Sequence, residues 1–288
     1  MSQEIELKLA LGQEGPKALR CHPLLAAQPA QASHLGNTYF DTPEGALERA
    51  RMALRLRRVN GRVLQTVKTR GEGGGGLSTR GEWEWEVSGS GLDLEGLKGL
   101  PPAALGQDVL ERLVPRFTTD FHRETRMIDH AGARIEVALD EGEILADNRR
   151  VAIRELELEL KAGEPEALWS LAETLAESLP LRPADTSKAA RGSALLADAW
   201  QLPKGGTPSA WLHRAIVALD ALADTGDETW RREAGKALQQ LAEASGGDTA
   251  KAASGLAALL SNSAWLTPAF SLAMVRLARR LPADRDLA

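Results

Sequence analysis

Glu4-Ile5-Glu6-Leu7-Lys8 alternates charge with aliphatic carbon at every step, and Glu155-Leu156-Glu157-Leu158-Glu159-Leu160-Lys161 repeats the pattern far along the chain. Side chains in a strand alternate faces with period 2, so each segment throws its charges to one side and its aliphatics to the other. A helix would scatter the same residues around its axis. Three more segments obey the rule: Arg55 and Arg57 among Leu54 and Leu56; Glu82, Glu84 and Glu86 among Trp83, Trp85 and Val87; and Arg134, Glu136 and Asp140 among Ile135, Val137 and Leu139. One such segment alone reads as a half-exposed strand with its polar face in solvent. Five that concentrate Glu and Arg on one side point to a sheet of about eight strands rolled into a barrel, with charges in the lumen and aliphatics outside. A lumen lined by both signs must hold water, metal ions and a charged ligand, because unpaired ions in a dry interior cost several kcal/mol each.

The periodicity predicts eight strands, over 3–10, 34–41, 51–59, 62–70, 81–88, 121–130, 133–140 and 151–161. Asn60-Gly61, between the third and fourth, is a type I′ hairpin dipeptide, since both central positions of that turn need positive φ. Gly71 to Gly76 lacks the Gly-Lys-Ser/Thr ending of a phosphate-cradling loop and reads as a mobile hairpin at a tunnel mouth. Residues 89–115 read as a long excursion with short helices. Ala167, Leu168, Leu171, Leu175 and Leu179 recur at helical spacing, giving a helix that covers the barrel's apolar outside. After Pro203-Lys204-Gly205-Gly206 the character changes: Ser209, Asp227, Asp248 and Thr267-Pro268 are helix starts, and Ala and Leu dominate between them, so 209–281 is expected to be a small helical bundle. The expected fold is α+β, with an eight-stranded antiparallel barrel and flanking helices in residues 1–202 and an all-α bundle in 203–288.

Composition narrows the setting. A net charge of −5 over 288 residues argues against a general nucleic-acid or membrane binder, since such partners gather on surplus basic surface. Cys21 is the one cysteine, which rules out an intrachain disulfide and a cysteine-based zinc site. No basic-apolar leader opens the sequence and no apolar run approaches a membrane span, so the cytoplasm is the expected location.

Taken in order, Glu4-Ile5-Glu6-Leu7-Lys8, the Arg55-Leu56-Arg57 strand, the Glu-x-Glu strand around 157 and Ser187-Lys188-Ala189-Ala190-Arg191 resemble the CYTH domain, or triphosphate tunnel metalloenzymes, over residues 2 to 197. The likeness is strongest to bacterial two-domain inorganic triphosphatases, in which a CHAD-like helical domain follows the barrel. The resemblance implies an eight-stranded tunnel that binds a triphosphate with divalent metal. A triphosphate calls for guanidinium and ammonium donors, and arginine's fork matches phosphate oxygens in pairs. On that logic, and by position against the family pattern, Lys8, Arg55, Arg57, Lys68, Arg123 and Lys188 are the substrate contacts, with Arg126 an alternative to Arg123 and with Arg80 and Arg182 in a second rank near the tunnel ends. Mg2+ or Mn2+ prefers oxygen ligands. Glu4, Glu6, Glu84, Asp140, Glu157 and Glu159 form the implied metal set, with Glu136 and Glu155 on the same faces as alternatives. Glu4, Glu6, Lys8, Arg55, Arg57 and Lys68 are the implied catalytic group.

The expected activity is metal-dependent hydrolysis of inorganic tripolyphosphate to phosphate and pyrophosphate. The alternatives are a nucleoside or thiamine triphosphatase, a class IV-type adenylate cyclase, and a non-catalytic polyphosphate-binding module. CHAD modules bind polyphosphate through basic surfaces, but basic and acidic residues nearly balance after Pro203 and His213 is the one histidine there, so the bundle reads as a truncated or divergent relative with a packing role. The barrel is expected to carry all the chemistry. No His-Glu-x-x-His or Gly-x-Ser-x-Gly signature competes with this reading, His122 is expected to be an outward or packing residue and not a base, and Trp83 and Trp85 are expected to pack on the barrel's outer face.

Overall fold

The computed structural model describes residues 2–281. Strands β1 (Ser2–Leu11), β2 (Gln31–Asp41), β3 (Ala53–Val59), β4 (Arg62–Gly74), β5 (Leu77–Glu86), β6 (Val114–His130), β7 (Ala133–Ala146) and β8 (Arg149–Ala162) form one sheet in the order β5-β4-β3-β2-β6-β7-β8-β1. A pairing of β1 with β5 closes it, and every neighbouring pair is antiparallel, so the expected eight-stranded barrel is present. The β3–β4 turn has φ of 50° at Asn60 and 77° at Gly61, as a type I′ turn requires. A ninth strand, β9 (Leu181–Pro183), takes over the β5 edge of β1 at Leu9–Leu11, beyond the last β1–β5 pair at Leu7 and Leu77.

Short helices α1 (Gly15–Arg20), α2 (Pro23–Ala26), α3 (Ala46–Arg49) and α4 (Gln107–Glu111) lie in the connections, α5 (Glu166–Ala176) follows β8, and α6 (Lys188–Ala197) follows β9. Then come α7 (Pro208–Thr225), α8 (Glu228–Glu243), α9 (Gly247–Leu259) and α10 (Pro268–Arg280). Asp227 and Thr267 cap α8 and α10 as expected. Thr207 caps α7 two residues before Ser209, with Pro208 preset for the first turn, and Asp248 lies inside the first turn of α9.

The period-2 pattern decides what is packed where. Leu7, Leu9, Val137, Leu139, Leu156 and Leu158 point out of β1, β7 and β8 and meet Leu168, Leu171 and Leu175 of α5, then Leu212, Leu219, Phe270 and Met274 of the bundle, in one continuous core. Each fully buried leucine there contributes roughly 2 kcal/mol. On the opposite wall the 89–115 excursion brings Leu97 and Leu110 over Leu54 and Val67, with Trp83 and Trp85 packed alongside. Inside the barrel one end is apolar: Leu35, Tyr39, Phe117, Phe121, Ile144 and Ile153 cluster against Leu195 and Leu196 of α6, which plugs that end. The remaining lumen is charged.

The glycine-rich segment is held more firmly than a mobile hairpin. β4 continues to Gly74, a Cβ built at Gly75 would come 3.0 Å from Ala278 of α10, and Gly76 donates to Asp185 Oδ1 at 2.6 Å and accepts from the Lys8 amide at 2.9 Å. No helix among the described residues is long and apolar enough to cross a membrane.

Candidate active site

Alternation brings Lys8 of β1, Arg55 and Arg57 of β3, Lys68 of β4, Arg80 of β5 and Arg123 of β6 to a common lumen cavity of about 270 Å³, and α6 adds Lys188 from its first turn. Glu4, Glu82, Glu84, Glu136, Glu157 and Glu159 border the same space. Arg126 falls on the opposite face of β6, beside Glu124 at 3.2 Å, so Arg123 is the inward group. His122 faces outward and lies against His34, ring centroids 4.9 Å apart and ring planes inclined by 40°.

The charges are sorted along the lumen. On the β1–β4–β5 wall, Glu4 lies 2.8 Å from Lys68 Nζ and 3.2 Å from Arg80 Nε; burial raises its pKa, but the two cations prevail and hold it at about 2. Arg80 also reaches Glu6, which is 3 % exposed and lies beneath that guanidinium. Farther round, Lys188 Nζ sits among Asp140 (2.8 Å), Glu155 (2.5 Å) and Glu157 (2.9 Å). Arg123 forks onto both oxygens of Asp140 at 2.7 Å and reaches Glu157 at 2.5 Å. Burial pushes the Glu155 and Glu157 carboxyls up, but Lys188, with Arg191 at Glu155 and Arg123 at Glu157, draws the first down to about 2 and the second well below the usual range.

Between these groups lies a cationic region. Arg57 Nε donates to Asn37 Oδ1 at 3.0 Å, and burial together with the Arg55 and Arg123 guanidiniums depresses its pKa to about 10. Tyr39, buried and stacked on Phe117 at 4.8 Å, reports the same field: burial pushes the phenol up, but Arg55, Lys188 and Arg57 bring it below its ordinary value. Both shifts mean that an anion placed here is stabilised, since it relieves the mutual repulsion of the cations.

Carboxylates crowd in turn. Burial, then Glu4 and Glu84, hold Glu82 above the ordinary range despite Lys68 and Arg55; burial, then Glu4 and Glu136, do so for Glu159 despite Lys161. Like charges left partly unrelieved, with only oxygen donors, fit a hard divalent cation. The tightest carboxylate trio, Asp140, Glu155 and Glu157, whose ligand atoms lie within 4.8 Å of one another, fits one less well, because the Lys188 ammonium already stands among them.

Of the residues singled out from sequence, Arg182 is not brought to the lumen. Its guanidinium is buried against α7, 2.5 Å from Asp220 and 3.0 Å from the Leu219 carbonyl. β9 is a three-residue strand buried throughout, so it carried no alternation from which its facing could be read. Asp140, 0 % exposed, backs the cations instead of bordering the cavity. Glu82, which borders the cavity, was missed as a site residue, and Arg191, which stands behind Lys188 at Glu155, was missed as its support. Glu82 was visible in the Glu82-Glu84-Glu86 alternation and Arg191 in the Ser187–Arg191 motif, three residues after Lys188 on one helix face.

Comparison with known proteins gives the family. The family model described as "CYTH domain" matches residues 2–193. An inorganic triphosphatase from Haemophilus influenzae is 36 % identical over 197 residues, covering 67 % of this chain and 54 % of the relative, so the match spans about half of that protein's length. Among solved structures, a Hippeastrum protein, an adenylyl cyclase candidate described as having a dominant triphosphatase activity, is 19 % identical over 69 % of this chain and 97 % of its own, with a TM-score of 0.49. A Pyrococcus horikoshii protein is 24 % identical over 60 % of this chain and 89 % of its own, with a TM-score of 0.39. With the family model spanning two thirds of its length, the chain belongs to the CYTH domain family.

Proposed function

We propose that this chain is a metal-dependent triphosphatase that hydrolyses inorganic tripolyphosphate to phosphate and pyrophosphate in the barrel lumen. The observation that carries the reading is the convergence of Lys8, Arg55, Arg57, Lys68, Arg80, Arg123 and Lys188 on one lumen cavity, a density of cations that calls for a polyanion. The similarity to the Haemophilus influenzae inorganic triphosphatase supports the same reaction class. In this reading Lys8, Arg55, Arg57, Lys68, Arg80, Arg123 and Lys188 bind the phosphate oxygens, and the guanidiniums hold those on which charge gathers as water attacks the terminal phosphorus and the bond to pyrophosphate breaks. Glu4, Glu84, Glu157 and Glu159, joined by Glu82 and Glu136, would hold Mg2+ or Mn2+. Glu6 orients Arg80 and Asp140 orients Arg123. Bound metal would neutralise phosphate charge and help activate the water. Chemistry is assigned to residues 1–202 and packing to 203–288, with the cytoplasm as the proposed location.

A second reading draws on a cavity of about 510 Å³ that adjoins the lumen at Lys8, Tyr39, Lys68 and Arg80, with Phe40, Met52, Leu54 and Phe117 in its walls. That space would admit the organic group of a nucleoside or thiamine triphosphate. One experiment separates the readings: tripolyphosphate, ATP and thiamine triphosphate are each incubated with Mg2+ or Mn2+, and phosphate, pyrophosphate and cyclic nucleotide are scored separately. The expected result is phosphate and pyrophosphate from tripolyphosphate, lost with chelator and in Glu4→Gln at limiting metal. Binding without turnover would identify a binding module, and cyclic nucleotide a cyclase.

A further inference from the structure

Asp220 and Asp224 lie four residues apart on α7 and share one face; Lys188 and Arg191 lie three apart at the start of α6 and share another. The two faces meet in the interior, where Asp220, Asp224, Arg191, Glu155 and Lys188 are each at most 10 % exposed in their side chains. Arg191 is the link. Its Nη2 and Nε grip the two oxygens of Asp224 at 2.6 and 3.0 Å, its Nη1 donates to Glu155, and its Nη2 also donates to the Ala152 carbonyl at 2.6 Å. The other oxygen of Glu155 holds Lys188 at 2.5 Å. Asp220 holds the Arg182 guanidinium with one oxygen and the backbone with the other. It accepts from the amides of Asp185 (3.2 Å) and Thr186 (3.0 Å), the two residues before Ser187, which caps α6.

No residue of α7 borders the lumen cavity among the described residues, yet the helix fixes both the entry of the chain into α6 and the charge balance behind Lys188. We infer that Asp224, through Arg191 and Glu155, and Asp220, through the Asp185–Thr186 backbone, are positioning residues that set how far the Lys188 ammonium reaches into the lumen; this rests on the reading of the lumen as a triphosphate site. Three carboxylates already pull on Lys188. Arg191, anchored by Asp224, takes up part of the charge of Glu155. Without that anchor the fork is no longer held in the orientation that presents Nη1 to Glu155, and once it turns more of the Glu155 charge falls on Lys188 and draws it away from substrate. The bundle thus supplies no catalytic residue and still governs substrate affinity.

The test is Asp224→Asn in the full chain. KM for tripolyphosphate should rise about 10-fold while kcat stays within about 2-fold, since displacing a binding group through a distant contact costs on this scale. In a Lys188→Met background the same change should add nothing, because its route to substrate is gone. A merely structural role would lower the folded fraction, so kcat would fall at constant KM, and by the same factor in both backgrounds; either outcome overturns the inference. If Asp224→Asn fails to fold, Arg191→Lys keeps the charge but loses the two-sided fork, and the same criteria apply. If the wild type hydrolyses no tripolyphosphate, the functional reading fails separately. Calorimetric titration of inorganic tripolyphosphate then decides: roughly 10-fold weaker binding by Asp224→Asn supports positioning, and equal affinity overturns it.

Discussion

Arg57 is held among like charges, and its fork is aimed into the lumen from a strand that also carries Arg55. Replacing it with lysine keeps the charge and removes the paired donors, so Arg57→Lys should cost on the order of 2 kcal/mol in transition-state stabilisation, a roughly 30-fold fall in kcat/KM for tripolyphosphate. An unchanged kcat/KM would make the arginine a structural residue of the wall. At this scale the sequence was informative wherever parity applied: one face of a strand is either lumen or exterior, so placing Glu157 also placed Glu155 and Glu159. It was silent where parity did not apply. Arg182 lies on a strand too short to alternate, and Asp220 and Asp224 lie on an Ala- and Leu-rich helix, where a charge ordinarily faces solvent.

Gly76 holds the seam at which β1 changes partner. With φ at 94°, a side chain is strained there, and a Cβ would sit 2.7 Å from the Lys8 carbonyl oxygen, which itself accepts from the Ala184 amide at the start of the β9 exit. Gly76→Ala should therefore destabilise the fold by about 1–3 kcal/mol, read as a lower midpoint in thermal or urea unfolding. An unshifted midpoint would mean that the seam flexes freely. Strands β1, β3, β5, β7 and β8 were legible because apolar residues alternate with charged ones along them, whereas the outward face of β6 carries His122, Glu124 and Arg126 and offers less contrast. The extra lengths of β6 and β7 were not, since Thr118, Thr119 and Gly142 interrupt the contrast between faces, and the glycine-rich hairpin reads as loose until Asp185 and Ala278 are seen to pin it.

Barrel and bundle share a core. Leu156 and Leu158 on the barrel, Leu168 and Leu175 on α5, and Leu212, Phe270 and Met274 on the bundle belong to one apolar cluster, while Arg182 and Arg191 find carboxylates on α7. A chain ending at Lys204 keeps every lumen-facing group but exposes that core and leaves two buried guanidiniums short of partners, an expensive loss. It should unfold at a markedly lower temperature and aggregate, read by circular dichroism and size-exclusion chromatography; a cooperatively folding fragment with full kcat/KM would show that the barrel stands alone. The change of character after Pro203 was visible in sequence, but the shared core was not, because composition does not say which helices meet which strand faces. Wall closure also bears on how the molecule is assembled. β1 is made before the strands it pairs with, yet Glu4 pairs opposite Arg80 and Lys8 opposite Glu157, and contacts so distant along the chain form slowly. Until those partners are synthesised, β1 is an open strand edge next to Ile5, Leu7 and Leu9, the kind of segment that seeds aggregation. The charges that later turn inward stand at every second position of that waiting strand, so Glu4, Glu6 and Lys8 interrupt its aliphatic residues as gatekeepers do, before the barrel closes over them.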